Sequence, residues 1–170
     1  MDIRIRPIDP TEHTTLGEIT ANAYLHDGLL DFGESDAYLH ELRDVTKRAA
    51  SAEVLVATAG DRVLGGVTFV PAPGPMSDIA RPGEAEMRML AVAKEARGRG
   101  AGEALVRACV DRARARATDG CTGIVLSTQR TMHSAHRVYE RLGFTRTPDR
   151  DWNPLPELDD ITLLTYKLTL

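Results

Sequence analysis

The sequence predicts a single α/β domain on a mixed, twisted sheet of six or seven strands flanked by about four helices. Three observations predict it. β-rich runs and stretches of helical spacing follow one another in the order β-α-α-β-β-β-α-β-α-β-β. The strand–helix–strand unit from Glu84 to Ser127 demands a right-handed parallel crossover. The chain has 170 residues. By surface scaling such a chain reduces ~27,000 Å² unfolded to ~8,000 Å² folded, enough for one core and too little for two ordinary domains.

Each element has a local reason. Ile3 and Ile5 alternate with Asp2, Arg4 and Arg6, a half-buried strand that stops at Pro7. Residues 10–26 and 35–50 carry helical spacing, with a break at Asp27-Gly28. The runs EVLVATA (53–59) and RVLGGVTFV (62–70) are strands, and Gly60-Asp61 between them makes a hairpin. Residues 71–83 form a loop, because Pro71, Pro73 and Pro75 cannot serve a sheet interior. EAEMRMLAV (84–92) reads as the next strand. In 99–118, Leu105, Val106, Cys109, Val110, Ala113 and Ala117 recur at helical spacing, with Glu103, Arg107, Asp111 and Arg114 opposite. Gly120 closes that helix, and GIVLS (123–127) is a short buried strand. Thr131 is placed to cap a helix running to Leu142, with Gly143 as its left-handed stop and Phe144 folding back on it. ITLLTYKLTL (161–170) is the last strand.

Composition removes several function classes. Hydrophobic residues make up 42% and charged residues 27%, as in a globular domain. With 21 Lys+Arg against 25 Asp+Glu the formal charge is −4, which argues against a generic nucleic-acid binder. Cys109 and Cys121 give neither a disulfide framework nor a metal-finger spacing. The five histidines, His13, His26, His40, His133 and His136, lack metal spacing such as His-Glu-x-x-His, so no metal is expected. No apolar run reaches bilayer length, and the first residues lack a signal peptide's apolar core. These features read as a reduced, cytoplasmic domain that binds neither nucleic acid nor membrane.

The densest signal is Arg97-Gly98-Arg99-Gly100-Ala101-Gly102, between a strand and an amphipathic helix. Glycines permit positive φ, so successive N–H groups can converge on one anion, and the helix aims its own N–H groups at the same place. Arg97 and Arg99 add cations beside this nest. The arrangement suits a pyrophosphate, and the competing reading is a helix-start turn with surface arginines. A Walker loop is excluded because Ala101, not Lys, follows Gly100. A dinucleotide fingerprint is excluded because the glycines stand at 98, 100 and 102.

Arg97-x-x-Gly100-x-Gly102 resembles the Arg/Gln-x-x-Gly-x-Gly/Ala loop of the GCN5-related N-acetyltransferases, the GNAT family. The preceding strand, Glu86 to Val92, looks like that family's central strand, and Ala135-x-x-Val138-Tyr139-Glu140-Arg141-Leu142-Gly143-Phe144 resembles its second motif. Together these cover about a third of the chain in the right order. The resemblance implies one acyltransferase domain over residues 1–170, with its cofactor-binding core at about 84–144, that moves acetyl from acetyl-CoA to a primary amine. It further implies that backbone N–H groups of Arg97, Gly98, Arg99, Gly100, Ala101 and Gly102 hold the pyrophosphate. Leu90, Ala91 and Val92 would pair with the pantetheine, and an N–H near Val92 would polarise the thioester carbonyl. Many members carry Asn where Met132 stands, so a pantetheine contact passes to Thr128, His133 or Ser134.

An alkylamine of pKa near ~10.4 is mostly protonated at pH 7, so attack on a thioester requires a base. Glu84, Glu86 and Arg88 share one strand face by the period of two, with Ala85, Met87, Met89 and Ala91 on the other. Glu86 matches the family's usual base position; Glu84 reads better as an ion-paired charge. By the same resemblance Tyr139 protonates the departing thiolate, while its place on the stripe Ala135, Val138, Tyr139, Leu142 also fits a packed core tyrosine. From His26 to Asp44 stand Asp27, Asp31, Glu34, Asp36, Glu41 and Asp44 against Arg43 alone, which would draw a small cationic amine. Two rivals differ in kind. A protein or peptide N-acetylase needs an open groove shaped by 71–83 and 27–35, whereas a non-catalytic acyl-CoA-binding regulatory module keeps the loop without turnover. A homodimer is compatible with any of these.

Overall fold

The computed structural model describes residues 2–158 and 161–170. Among these residues there are seven strands: β1 (Arg4–Pro7), β2 (Glu53–Ala59), β3 (Arg62–Val70), β4 (Glu84–Val92), β5 (Gly123–Thr128), β6 (Thr145–Arg146) and β7 (Leu164–Thr169). Among the described residues there are five α-helices: α1 (His13–His26), α2 (Tyr38–Arg43), α3 (Val45–Ser51), α4 (Ala101–Ala115) and α5 (His133–Arg141). The strands form one mostly antiparallel sheet in the order β1-β2-β3-β4-β5-β7-β6. The chain divides into two compact units, residues 1–69 with 89–109 and residues 70–88 with 110–170, so β4 and α4 contribute to both.

In the first unit the β2–β3 hairpin closes at Ala59↔Arg62 over Gly60-Asp61, as its turn chemistry predicts. The register slips between Ala57 and Thr58, which face Gly65 and Val63, leaving Leu64 as the extra residue of a bulge. Gly65 is the residue that close packing requires, since a β-carbon there would land on the Ala91 carbonyl oxygen and within 2.9 Å of the Val92 Cα. Leu16, Val45, Val54 and Val56 form one apolar cluster, and Ala21, Leu39, Leu42 and Met89 another. The single helix expected over 35–50 is instead two. Asp44, at φ −84° and ψ 66°, breaks it, and its carboxylate accepts the Lys47 N–H at 3.1 Å to start α3. An Asp within a helical pattern served here as a cap.

In the second unit β4 and β5 pair in parallel from Glu84↔Gly123 to Met87↔Leu126, the crossover the sequence demands. The strands were expected to part near Leu90 to Val92; the ladder ends earlier, at Met87, and Met89 follows with φ 55°. α5 ends as predicted. Gly143 lies at φ 98°, its N–H donates to Glu140 O at 3.1 Å, and the Phe144 N–H donates to Tyr139 O at 2.9 Å. This Schellman cap folds the Phe144 ring to 5.9 Å from that of Tyr139. Thr131 does not cap the helix: Met132 occupies the N-cap and makes no side-chain capping bond. The last strand is shorter than expected, Leu164–Thr169, and the two-residue β6 pairs with it. No helix among the described residues is long and apolar enough to cross a membrane.

Candidate active site

In the first unit, the loop after β4 adopts the conformation its glycines allow. Gly98 and Gly100 sit at φ 80° and 85°, where an L-residue is strained. The amides of Gly98, Gly100, Ala101 and Gly102 donate to no described residue, and the latter two open α4. Alternating left-handed residues followed by a helix start form an anion nest. A β-carbon on Gly98 or Gly100 would meet no atom within 4 Å beyond its chain neighbours, so both glycines border open space. One expected donor is corrected: the Arg97 N–H is used within a 3₁₀ turn, donating to Lys94 O at 3.3 Å.

The Arg97 side chain is committed as well. Its two terminal nitrogens donate to both oxygens of Asp27 at 3.0 Å each, and its Nε to Val92 O at 3.3 Å. Arg97 therefore does not stand as an uncompensated cation beside the nest. Of the proposed pantetheine segment, Ala91 is buried, while Leu90 and Val92 are half-buried.

In the second unit the polar face of β4 holds a loop. Glu86 is 1% exposed; its Oε1 accepts the N–H groups of Asp78, Ile79 and Ala80 at 2.9–3.0 Å, and Oε2 that of Asp78 at 3.1 Å. Burial pushes the Glu86 carboxyl up from its usual value, and these three amides pull against it. Arg88 pairs with Asp78 at 3.1 Å and donates to Met76 O at 2.8 Å. Burial likewise raises the Asp78 carboxyl, against the pull of Arg88.

Glu84 is the ion-paired charge expected of it. It meets Arg150 through both oxygens at 2.8 and 2.9 Å, Lys167 at 2.9 Å, and the Arg81 N–H at 2.9 Å. Burial pushes this carboxyl up, and its cations and the Arg81 amide more than reverse that, holding it at about 2. Arg150 also donates to Ile79 O at 2.6 Å. The Pro-rich loop is thus pinned at residues 76–81 by Glu84 and its partner Arg150 and by Glu86 and Arg88.

Tyr139 is 4% exposed, its ring 5.9 Å from Phe144 and 5.7 Å from Tyr166. Tyr166 donates to Glu140 at 2.8 Å, and burial together with that bond pushes its phenol up to about 12. Of the residues offered in place of the family Asn, Thr128 is buried with its hydroxyl 3.6 Å from the Met132 sulfur. His133 and Ser134 are exposed, and Ser134 accepts from Arg137 at 3.2 Å.

The acidic stretch is mostly structural, which corrects its reading as a free field for a cation. Asp27 holds Arg97, Asp36 accepts the N–H groups of Phe32 and Tyr38, Glu41 pairs with Lys47, and Asp44 caps α3. Asp31 and Glu34 remain exposed, and among the described residues neither has a partner. Sequence reasoning missed Asp78, Arg150 and Lys167, whose contacts with β4 join residues 8 to 83 positions apart. The odd-looking run of three polar residues on a central strand was the available signal.

The model of the acetyltransferase (GNAT) family matches residues 19–144. Among solved structures, yncA of Salmonella typhimurium, determined with its cofactor acetyl-CoA, is 23% identical, with a TM-score of 0.72 over 99% of this chain and 94% of that one. The ribosomal-protein-alanine N-acetyltransferase of Brucella melitensis is 19% identical, with a TM-score of 0.72 over 98% and 99%. The paia N-acetyltransferase of Thermoplasma acidophilum, in complex with coenzyme A, is 15% identical, with a TM-score of 0.71 over 100% of both chains. No curated protein matches the sequence.

Proposed function

Because the chain belongs to the GNAT acetyltransferase family, we propose that it transfers acetyl from acetyl-CoA to a primary amine by direct attack, without a metal. The observation that carries this reading is the set of amides at Gly98, Gly100, Ala101 and Gly102, which donate to no described residue, on a loop that matches the family's pattern. Four such N–H groups and a helix start suit a pyrophosphate and need no cation beside them. Positioning of the two substrates supplies much of the acceleration, with base catalysis and backbone donors near Val92, which stabilise the charge that develops on the thioester oxygen, adding to it.

In this proposal Glu86 is the base and Tyr139 the acid. Oε1 of Glu86 accepts three N–H groups, whereas Oε2 accepts one and keeps acceptor capacity for a further donor, in this proposal a water that relays the amine's proton. Tyr139 gives its phenolic proton to the departing CoA thiolate. Glu86→Gln is expected to cut turnover most at neutral pH and least at high pH, where unprotonated amine is already abundant. A pH–rate profile alongside a thermal melt checks this. A loss uniform across pH would make Glu86 a loop anchor alone, a role its three amide bonds also fit.

The acceptor is proposed to be a small cationic amine, on the strength of Asp31 and Glu34, the two carboxylates of the 27–44 stretch that no described residue engages. Paired Asp31→Asn and Glu34→Gln changes are expected to raise the acceptor KM several-fold, more at low salt than at high, with acetyl-CoA affinity unchanged. An unaltered KM would leave them as solubility charges. An amine panel followed by thiol release identifies the acceptor; acetyl-CoA binding without turnover on any amine or peptide would favour a regulatory module. A reducing cytoplasm completes the proposal, in keeping with two buried thiols, Cys109 and Cys121.

A further inference from the structure

Resting on the acetyl-CoA reading above, we infer that Asp27 is a positioning residue for the pyrophosphate loop: it takes up the charge of Arg97 and braces the loop, leaving the phosphates to the backbone amides. Asp27 is fixed where α1 ends, its N–H donating to Ala23 O at 3.1 Å, while the Leu29 N–H donates to Tyr24 O at 3.0 Å. Such closed helix ends hold the following backbone firmly. From that anchor the carboxylate makes a fork-to-fork pair with Arg97, both bonds 3.0 Å, across 70 positions of sequence. The same guanidinium reaches back to Val92 O at 3.3 Å, so one planar group joins the end of α1, the end of β4 and the first residue of the loop.

The consequence concerns where the phosphates bind. With both terminal nitrogens on the Asp27 carboxylate and Nε on Val92 O, the Arg97 guanidinium keeps no free pair of adjacent N–H groups to offer a phosphate as a fork. The loop beyond it depends on Gly98 and Gly100 holding φ 80° and 85°, and a β-carbon on either would stand in open space. Such a loop has many conformations to lose on binding, and a brace at Arg97 removes part of that loss beforehand. Asp27, though an anion near an anion site, therefore favours acetyl-CoA.

The sign of that effect is the test. Calorimetric titration with acetyl-CoA is expected to show Asp27→Asn and Arg97→Met each weakening binding about tenfold. The double variant should be no weaker than the poorer single one, because both remove the same bond. Asp27→Glu should restore most of the affinity. In turnover assays the loss should fall on KM for acetyl-CoA rather than on kcat, and Arg97→Met should keep the wild-type salt dependence of binding. The side chains of Arg97 and Asp27 are 38% and 34% exposed, so melts of the variants without ligand should stay near wild type. Asp27→Asn binding as tightly as wild type, or more tightly, would overturn the inference, as would an Arg97→Met variant with a flattened salt dependence. Failure of the underlying site shows differently: the wild type would not bind acetyl-CoA, or Gly100→Glu would bind it normally.

Discussion

Gly100→Glu is expected to abolish acetyl-CoA binding, weakening it at least a hundredfold, while the protein stays folded. Three effects add at one position. Residue 100 lies at φ 85°, where a β-carbon costs on the order of 1–2 kcal/mol. Relieving that strain turns the amide away from its neighbours and breaks the nest. The new carboxylate then stands where an anion must bind. No atom lies within 4 Å of the added β-carbon, so the core does not feel the change, and a melt without ligand should shift little. Gly100→Ala separates the causes, since it carries strain without charge and should lose less. Micromolar binding by the glutamate variant would remove the pyrophosphate from this loop.

Tyr139→Phe is expected to lower turnover by about 10²–10⁴-fold, the usual contribution of an acid–base group, with acetyl-CoA affinity within a few-fold of wild type. The ring stays, so its packing against Phe144 and Tyr166 stays with it, and only the hydroxyl is lost. This makes the phenylalanine variant informative where Tyr139→Ala would open a cavity and confuse chemistry with folding. Burst and steady-state thiol release, with a melt on the same sample, read the two apart. A loss under threefold would return Tyr139 to core packing, which its 4% exposure by itself would allow.

What was legible in the sequence is what short-range rules govern. The Gly60-Asp61 hairpin, the proline loop, the glycine loop and the Gly143-Phe144 helix stop each depend on residues within a few positions, and each is where the sequence predicts it. The interruption at Asp44 had a local cause too, yet one Asp among helical residues reads equally as a solvated side chain or as a cap. The ionic contacts were beyond reach. Glu84 with Arg150 and Lys167, and Asp27 with Arg97, unite residues that no periodicity connects. Glu86 was visible as a buried carboxylate in waiting. That its oxygens would be met by three consecutive amides of a proline-rich loop was not, because main-chain donors leave no mark in the sequence.

Met89 carries two incompatible demands. Its backbone, at φ 55°, is the one non-glycine residue among those described with positive φ, and there glycine or asparagine fits best. Its side chain is 7% exposed within the cluster of Ala21, Leu39 and Leu42, where only an apolar group will serve. Methionine reconciles them: it is unbranched at Cβ, so it crowds the left-handed backbone least, and its flexible thioether chain still reaches the core. The position is consequently a narrow passage for sequence drift. Valine or isoleucine satisfies the core and fails the backbone, glycine does the reverse, and the tolerated alternatives are few and unbranched. Such a residue records in its identity a constraint that neither its hydrophobicity nor its place in a strand would suggest.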